Sequence, residues 1–224
     1  FDDEHWELYN VERDFSQADD LARREPKRLR AMQDVFLAEA TRYNVLPLDD
    51  RFAERADASL RPNYLRGKTR MVYLPGARVP EPCTPSTKNI NHVIGVELDL
   101  AGGEEGVLAC CGGHTGGWTL FVKDGRLHWQ HNWFREARFK VVADTPLPRG
   151  HVIVSAEILV DKENAPGTGG KVVLRAGEQV LGEGRFEKQI PYRYGLETFD
   201  VGFDSVTPVS DDYESPFPFT GKIT

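Results

Sequence analysis

The spacing of the apolar residues changes once along the chain, and that change constrains the fold more than any other feature. From Pro26 to Tyr43, the residues Leu29, Met32, Phe36, Ala40 and Tyr43 recur every three or four positions. That spacing gathers them on one stripe of an amphipathic helix, with Arg28, Arg30, Asp34, Glu39 and Arg42 off the stripe as a solvated face. Pro26 suits the first helical position, where a missing N–H leaves no bond unmade. Ahead of it, His5 to Val11 reads as a short strand. From about Lys68 onward the period becomes two, broken at short intervals by Gly and Pro.

In the second region His92, Ile94, Val96, Leu98 and Leu100 alternate with Asn91, Gly95, Glu97 and Asp99, so the even positions are expected to face a core. Further strands are expected over Val107 to Cys111, Trp118 to Val122, Leu127 to Trp133, Phe139 to Ala143, Val152 to Val160, Lys171 to Arg175, Gln179 to Phe186 and Phe199 to Asp204. Lys123-Asp124-Gly125 marks a tight hairpin, because Asp-Gly tolerates the positive φ angles such a turn demands. Eight or more antiparallel strands predict a mainly β protein with an N-terminal helical segment, its body an antiparallel β-sandwich or jelly roll. The expected divisions are a strand and helix over 1–60, a Pro-rich connector over 61–90 and the sandwich over 91–224. The extended part of that connector runs from Arg78 to Asn89.

Charge and cysteine content narrow the function classes. Lys and Arg number 28 against 35 Asp and Glu, a formal charge of −7, which argues against a nucleic-acid partner. The longest apolar runs fall well short of the roughly 20 residues of a spanning helix, so a soluble protein without a membrane partner is expected. The opening residues lack the pattern of a signal peptide, and Phe1 reads as a cut end. Cys110 and Cys111 are neighbours that would point to opposite faces of a strand. Three cysteines make no disulfide framework, and reduced thiols lean toward a cytoplasmic location while leaving the compartment open.

Several residue groups could carry a site. His128 and His131, three apart on a strand, face opposite sides and cannot readily share one metal. Trp118, Trp129 and Trp133 with Phe121 and Phe134 form an aromatic hairpin that could stack on a sugar or aryl ring, although the shared parity of Leu127, Trp129 and Trp133 points to the core. Should a ligand bind there, His114 and Trp118 near the turn are the substrate-binding candidates. Asp200, Asp204, Asp211 and Asp212 are candidate oxygen ligands for calcium. A solvated loop with local side-chain bonds is the competing reading.

The opening residues are more specific. His5-Trp6-Glu7-Leu8-Tyr9-Asn10, then Asp14-Phe15-Ser16 and Asp20-Leu21-Ala22, resemble the end of the sulfatase catalytic domain, where an edge strand precedes a closing helix. Tyr43 to Arg51, with Leu46-Pro47-Leu48-Asp49-Asp50, is similar to one branch of bacterial arylsulfatases whose C-terminal domain is a β-sandwich. Gly170 to Leu174, Phe199 to Asp204, Thr207 to Ser210 and Phe217 to Gly221 resemble the closing segments of that branch.

The resemblance implies a C-terminal accessory region whose full-length chain hydrolyses sulfate esters with a formylglycine and a divalent metal, calcium by expectation. No catalytic residue and no cofactor are expected within this segment. Cys83-Thr84-Pro85-Ser86-Thr87 imitates the Cys/Ser-x-Pro-x-Arg motif, but Thr87 replaces the required Arg. The implied partner is the upstream catalytic domain. A lectin-like carbohydrate-binding module is the alternative, as is an oligomerisation module using the Arg78 to Asn89 arm as a homo-oligomer contact. Fold resemblance carries function by analogy alone.

Overall fold

The computed structural model describes residues 6–48, 65 and 67–224. They divide into two compact units, Phe1–Asn63 and Tyr64–Thr224.

In the first unit the helix α1 spans Pro26–Arg42 with proline in its first turn. It ends in a Schellman motif, with Asn44 at φ 56°, the Val45 N–H on Ala40 O at 2.8 Å and the Asn44 N–H on Thr41 O at 3.3 Å. Asparagine here takes the left-handed position that glycine usually fills. Ala40 is buried and Leu29 and Phe36 are half-buried, with the Trp6 ring edge-on to Phe36 at 5.7 Å. Met32 and Tyr43 depart from the expected stripe and are exposed, because they lie at its margin, beyond the line through residues 29, 36 and 40. No strand forms over the described part of the opening run, and His5 lies outside the described residues. The Leu8 N–H instead bonds Asp20 Oδ1 at 2.9 Å, and the Leu21 N–H bonds Leu8 O at 2.8 Å.

The described residues of the second unit form an antiparallel β-sandwich of eleven strands. They are β1 Arg78–Pro80, β2 His92–Leu100, β3 Gly106–Gly113, β4 Gly116–Lys123, β5 Arg126–Trp133, β6 Ala137–Val142, β7 Gly150–Val160, β8 Gly170–Ala176, β9 Gln179–Phe186, β10 Thr198–Val201 and β11 Lys222–Ile223. One sheet has the order β1-β10-β3-β4-β5-β6 and the other β11-β2-β7-β8-β9. The Pro-rich segment expected as a connector thus supplies the edge strand β1 and a 3-10 turn over Glu81–Cys83. Proline is tolerated there because an edge strand needs hydrogen bonds on one side only. The turn from β4 to β5 has Asp124 at φ 51° and Gly125 at φ 69°, as the Asp-Gly pair requires.

The alternation fixes the inner faces. Val96, Leu98 and Leu100 of β2 and Val154, Ala156 and Ile158 of β7 are buried, while Val93, Glu97 and Ile153 are exposed. They pack with Leu108, Leu120, Leu127, Leu174 and Phe186 from the surrounding strands, each large side chain contributing about 1.5–3 kcal/mol. Trp129 belongs to the same core and Trp133 packs against it.

The outer face of the first sheet is buried as well over β3 and β4. Every residue of β3 and all of β4 except Lys123 are inaccessible. Irregular chain after β10 covers them, so that Val107, Cys110 and Phe121 form a second small core with Val209, Tyr213 and Phe217. Gly106, at φ 126°, permits the approach: a Cβ there would lie 2.4 Å from Phe219 Cα and from Pro218 O. We refer to residues 202–219 as the strap.

Candidate functional site

Two buried polar clusters flank the main core, and they take in Asp200, Asp204 and Trp118 of the residues singled out from the sequence. The first pins the strap. Asp204 is buried, and its Oδ2 accepts from the Val209 N–H at 3.0 Å and the Tyr213 hydroxyl at 2.7 Å. Thr119 Oγ1 lies 3.1 Å from the same phenol, and the Ser210 hydroxyl donates to Gln130 Oε1 at 2.7 Å. Asp200, also buried, accepts from the Thr198 hydroxyl at 2.7 Å and the Ser205 N–H at 2.9 Å. Burial pushes the Asp204 carboxyl up to about 6, and the neighbouring Asp200 and Glu197 charges push the same way. Burial also raises the Tyr213 phenol.

The four aspartates considered as calcium ligands are not assembled into one site. Asp200 and Asp204 meet, together with Cys110, with ligand atoms all within 4.8 Å of one another. Asp211 and Asp212 instead make ion pairs at the surface, with Arg138 at 3.2 Å and Lys140 at 2.6 Å. Calcium takes six to eight oxygens, whereas this buried group offers two carboxylates already engaged by strap and loop donors and one thiol. Burial holds that Cys110 thiol protonated, its pKa well above the ordinary value, and lifts Cys111 to about 12. Neither sulfur is a reactive thiolate. The residues therefore do not fit a calcium ion.

The second cluster ties the loop before β2 to the loop between β9 and β10. Lys88 Nζ lies 2.5 Å from Glu81 Oε1, with both side chains largely buried, and over the Tyr194 ring at 4.3 Å. Glu81 Oε2 accepts from the Tyr194 N–H at 3.0 Å. Thr87 Oγ1 accepts from the Trp118 indole N–H at 3.1 Å and lies 3.1 Å from the Tyr194 hydroxyl. Thr87, the position where a formylglycine motif needs Arg, thus has a packing task in this loop. Asn89 donates to Pro191 O at 2.7 Å and accepts from the Gly167 N–H at 2.9 Å. His131 is 2 % exposed and accepts from the Ile190 N–H at 3.1 Å, and burial depresses it to about 3. A cavity of about 10 Å³ lies among Thr87, Trp118, Trp129, His131 and Tyr194, space for one water at most.

The two substrate-binding candidates part company. His114 sits half-buried in the turn between β3 and β4, its N–H on Thr207 Oγ1 at 2.8 Å. Trp118 lies within β4 rather than in the turn and is 3 % exposed. His128 and His131 face opposite sides of the sheet, as their parity requires, His128 stacking on Phe121 and His131 on Trp129. Sequence reasoning missed Glu81, Lys88 and Gln189, whose Oε1 accepts from the Asn89 N–H at 3.0 Å. Each is a polar residue outside the periodic strands, and nothing local distinguishes a buried polar contact from a solvated one.

The aromatic cluster at solvent is the turn from β5 to β6. Phe134 at φ 50° and Arg135 at φ 64° both occupy the left-handed region. Phe134 is half-exposed and edge-on to Trp133, whose ring lies 3.3 Å beneath Lys188 Nζ.

The fold defines the class, an antiparallel β-sandwich preceded by a separate helical unit. No family profile matches the chain, and no curated protein matches it. Among solved structures, the native heptameric SAP-like pentraxin from Limulus polyphemus is similar to it, at 12 % identity with a TM-score of 0.39. That match covers 60 % of this chain, and the chain spans 61 % of the pentraxin's length. No helix among the described residues is long and apolar enough to cross a membrane.

Proposed function

We propose that this chain is the C-terminal, non-catalytic region of a sulfatase, in which the helical unit closes the catalytic domain and the sandwich helps to stabilise or shape the substrate cleft. One observation carries the reading beyond the sequence resemblance. The helical unit leaves Phe15, Met32, Val35, Val45 and Leu48 exposed, Phe15 at 92 %. Exposed apolar side chains of that kind are available for an upstream catalytic domain to cover. Among the described residues the Cys110, Asp200 and Asp204 group does not suit such a metal, so on this reading the formylglycine and the metal would both come from upstream.

The test is the coding sequence before Phe1 and the protein it specifies. It is expected to encode a Cys/Ser-x-Pro-x-Arg motif, and the lengthened protein is expected to release nitrophenol from p-nitrophenyl sulfate. The present chain alone is expected to be inert, with Cys83 unmodified by mass spectrometry. A preceding sequence without the motif, or a formylglycine at Cys83, overturns the reading.

One feature favours a second reading, a lectin-like module. The exposed Phe134 beside Trp133 and Lys188 would suit a sugar ring carrying an acidic group. Saturation-transfer NMR with sulfated and neutral oligosaccharides, on wild type and Phe134→Ala, would decide it.

A further inference from the structure

The strap is closed at its base and pinned along its body. At the base the Asp204 N–H bonds Pro216 O at 2.8 Å and the Phe219 N–H bonds Gly202 O at 2.9 Å, so its two ends meet as in an Ω-loop. The body, residues 205–215, has no strand pairing. Side chains hold it instead: Tyr213 on Thr119 of β4, Ser210 on Gln130 of β5, and Thr207 on Glu197. A segment of that kind can open as a unit without unzipping the strands beneath it.

The charges under the body do not balance. Asp200 and Asp204, both buried, lie with the Cys110 sulfur in a group whose ligand atoms are within 4.8 Å of one another, and the Glu197 carboxylate acts on Asp204 in the same sense as Asp200. From the strap Tyr213 offers a neutral phenol, and from β5 burial disfavours the charged form of His128. His114, in the turn from β3 to β4, meets the strap through its backbone N–H on Thr207. The cations that reach the strap are Lys123, Arg138 and Lys140, which engage Asp212 O and the carboxylates of Asp211 and Asp212. Among the described residues none of them pairs with Asp200 or Asp204. Ionising Asp204 therefore sets a second charge against Asp200 without a counter-ion, and opening relieves this by returning the carboxylate to water.

We propose that the strap is a pH-controlled cover, whose body lifts from β3 and β4 when Asp204 loses its proton and bares the Cys110 thiol with the Val107 and Phe121 side chains. All three are inaccessible while the cover is closed. The inference is independent of the sulfatase reading. Neighbouring cysteines on β3 supply a matched pair of reporters: Cys110 lies in the small core under the strap, and Cys111 in the main core between the sheets. Lifting the strap exposes the first alone, whereas global unfolding exposes both.

The test is N-ethylmaleimide labelling of the full chain between pH 5 and 8, with each cysteine resolved by peptide fragmentation in the mass spectrometer. Each rate is divided by that of the urea-unfolded chain at the same pH, which removes the ordinary thiolate dependence. With Asp204 at about 6 when covered and at an ordinary 3.8 when released, the divided Cys110 rate is expected to rise about tenfold over that range. At pH 8 Cys111 is expected to react at least about tenfold more slowly than Cys110, and Asp204→Asn is expected to abolish the rise. Equal divided rates at the two cysteines would show that the cover lifts only when the whole sandwich unfolds. That result, a flat Cys110 profile, or a rise that survives in Asp204→Asn overturns the proposal. If Asp204→Asn fails to fold, the wild-type profile of Cys110 against Cys111 decides the matter.

Discussion

The hydroxyl of Tyr213 donates to Oδ2 of Asp204 at 2.7 Å, beneath a strap with no regular secondary structure. The two residues are nine apart in sequence and join the strap to itself, while Thr119 of β4 holds the same phenol to the sheet. This small polar centre supplies acceptors for the buried Val209 N–H and Tyr213 hydroxyl of an irregular segment that covers an apolar sheet face.

The pair should leave a signature in the pH dependence of stability. Asp204 has a folded value of about 6 against an ordinary 3.8. Its contribution is complete below 3.8 and is lost as pH rises through 6, a span of roughly 3 kcal/mol. His131 acts in the opposite sense. Its folded value of about 3 lies below the ordinary 6.5, so its contribution is complete above 6.5 and is lost as pH falls toward 3. Between pH 4 and 6 the two slopes oppose each other. Asp204→Asn should therefore uncover a loss of about 1.4 kcal/mol per pH unit on acidification relative to wild type. Urea titrations of both proteins from pH 4 to 7 would check this, and parallel profiles would refute it.

The buried pair of Glu81 and Lys88 makes a second prediction. Lys88→Met leaves the Glu81 carboxylate buried with the Tyr194 N–H as its remaining described donor, which should cost about 3–5 kcal/mol. Adding Glu81→Gln removes the stranded charge and keeps an acceptor for that N–H, so the double variant should recover most of the loss. Chemical denaturation of the two single variants and the double measures the coupling. Additive effects would mean that the ion pair does not hold the two loops together.

The strand pattern and the inner faces were legible because one buried face imposes a period of two, as the even positions of His92 to Leu100 illustrate. The strap was not legible as a cover, because Asp204, Val209 and Tyr213 follow no period. A signal was nevertheless present in the strands beneath it. Val107 to Cys111 and Trp118 to Val122 are almost continuously apolar, the mark of strands buried on both faces. Of the candidate site, the opposite facing of His128 and His131 followed from parity alone. The meeting of Asp200 with Cys110 depends on β10 pairing with β3, and a single sequence does not reveal which distant strands are neighbours.

The turn from β5 to β6 stores backbone strain. Two successive left-handed residues are ordinarily supplied by Asn-Gly, and a side chain in that region costs roughly 1–2 kcal/mol. Arg135→Gly keeps the N–H that bonds Asn132 Oδ1 at 2.9 Å and removes the strain, offset in part by the greater freedom of glycine when unfolded. A net gain of about 0.5–1 kcal/mol is expected, read as a higher melting temperature. A lower melting temperature would show that the Arg135 side chain contributes more than its conformation costs.

The register of β2 and β7 decides which residues of the second sheet can meet a partner at all. Ile158 is 2 % exposed and Ile153 is 53 % exposed on the same strand, and a slip of one residue would exchange their positions. Ile158→Ala should destabilise by about 2–5 kcal/mol, the range for a fully buried large aliphatic residue. Ile153→Ala and Glu97→Ala, both on the exposed face, should each change stability by roughly 0.5 kcal/mol or less. Ile94 is half-buried at the rim of the core, so Ile94→Ala should fall between these limits. A denaturant series in which Ile153→Ala proved costlier than Ile158→Ala would reverse the two faces of the sheet.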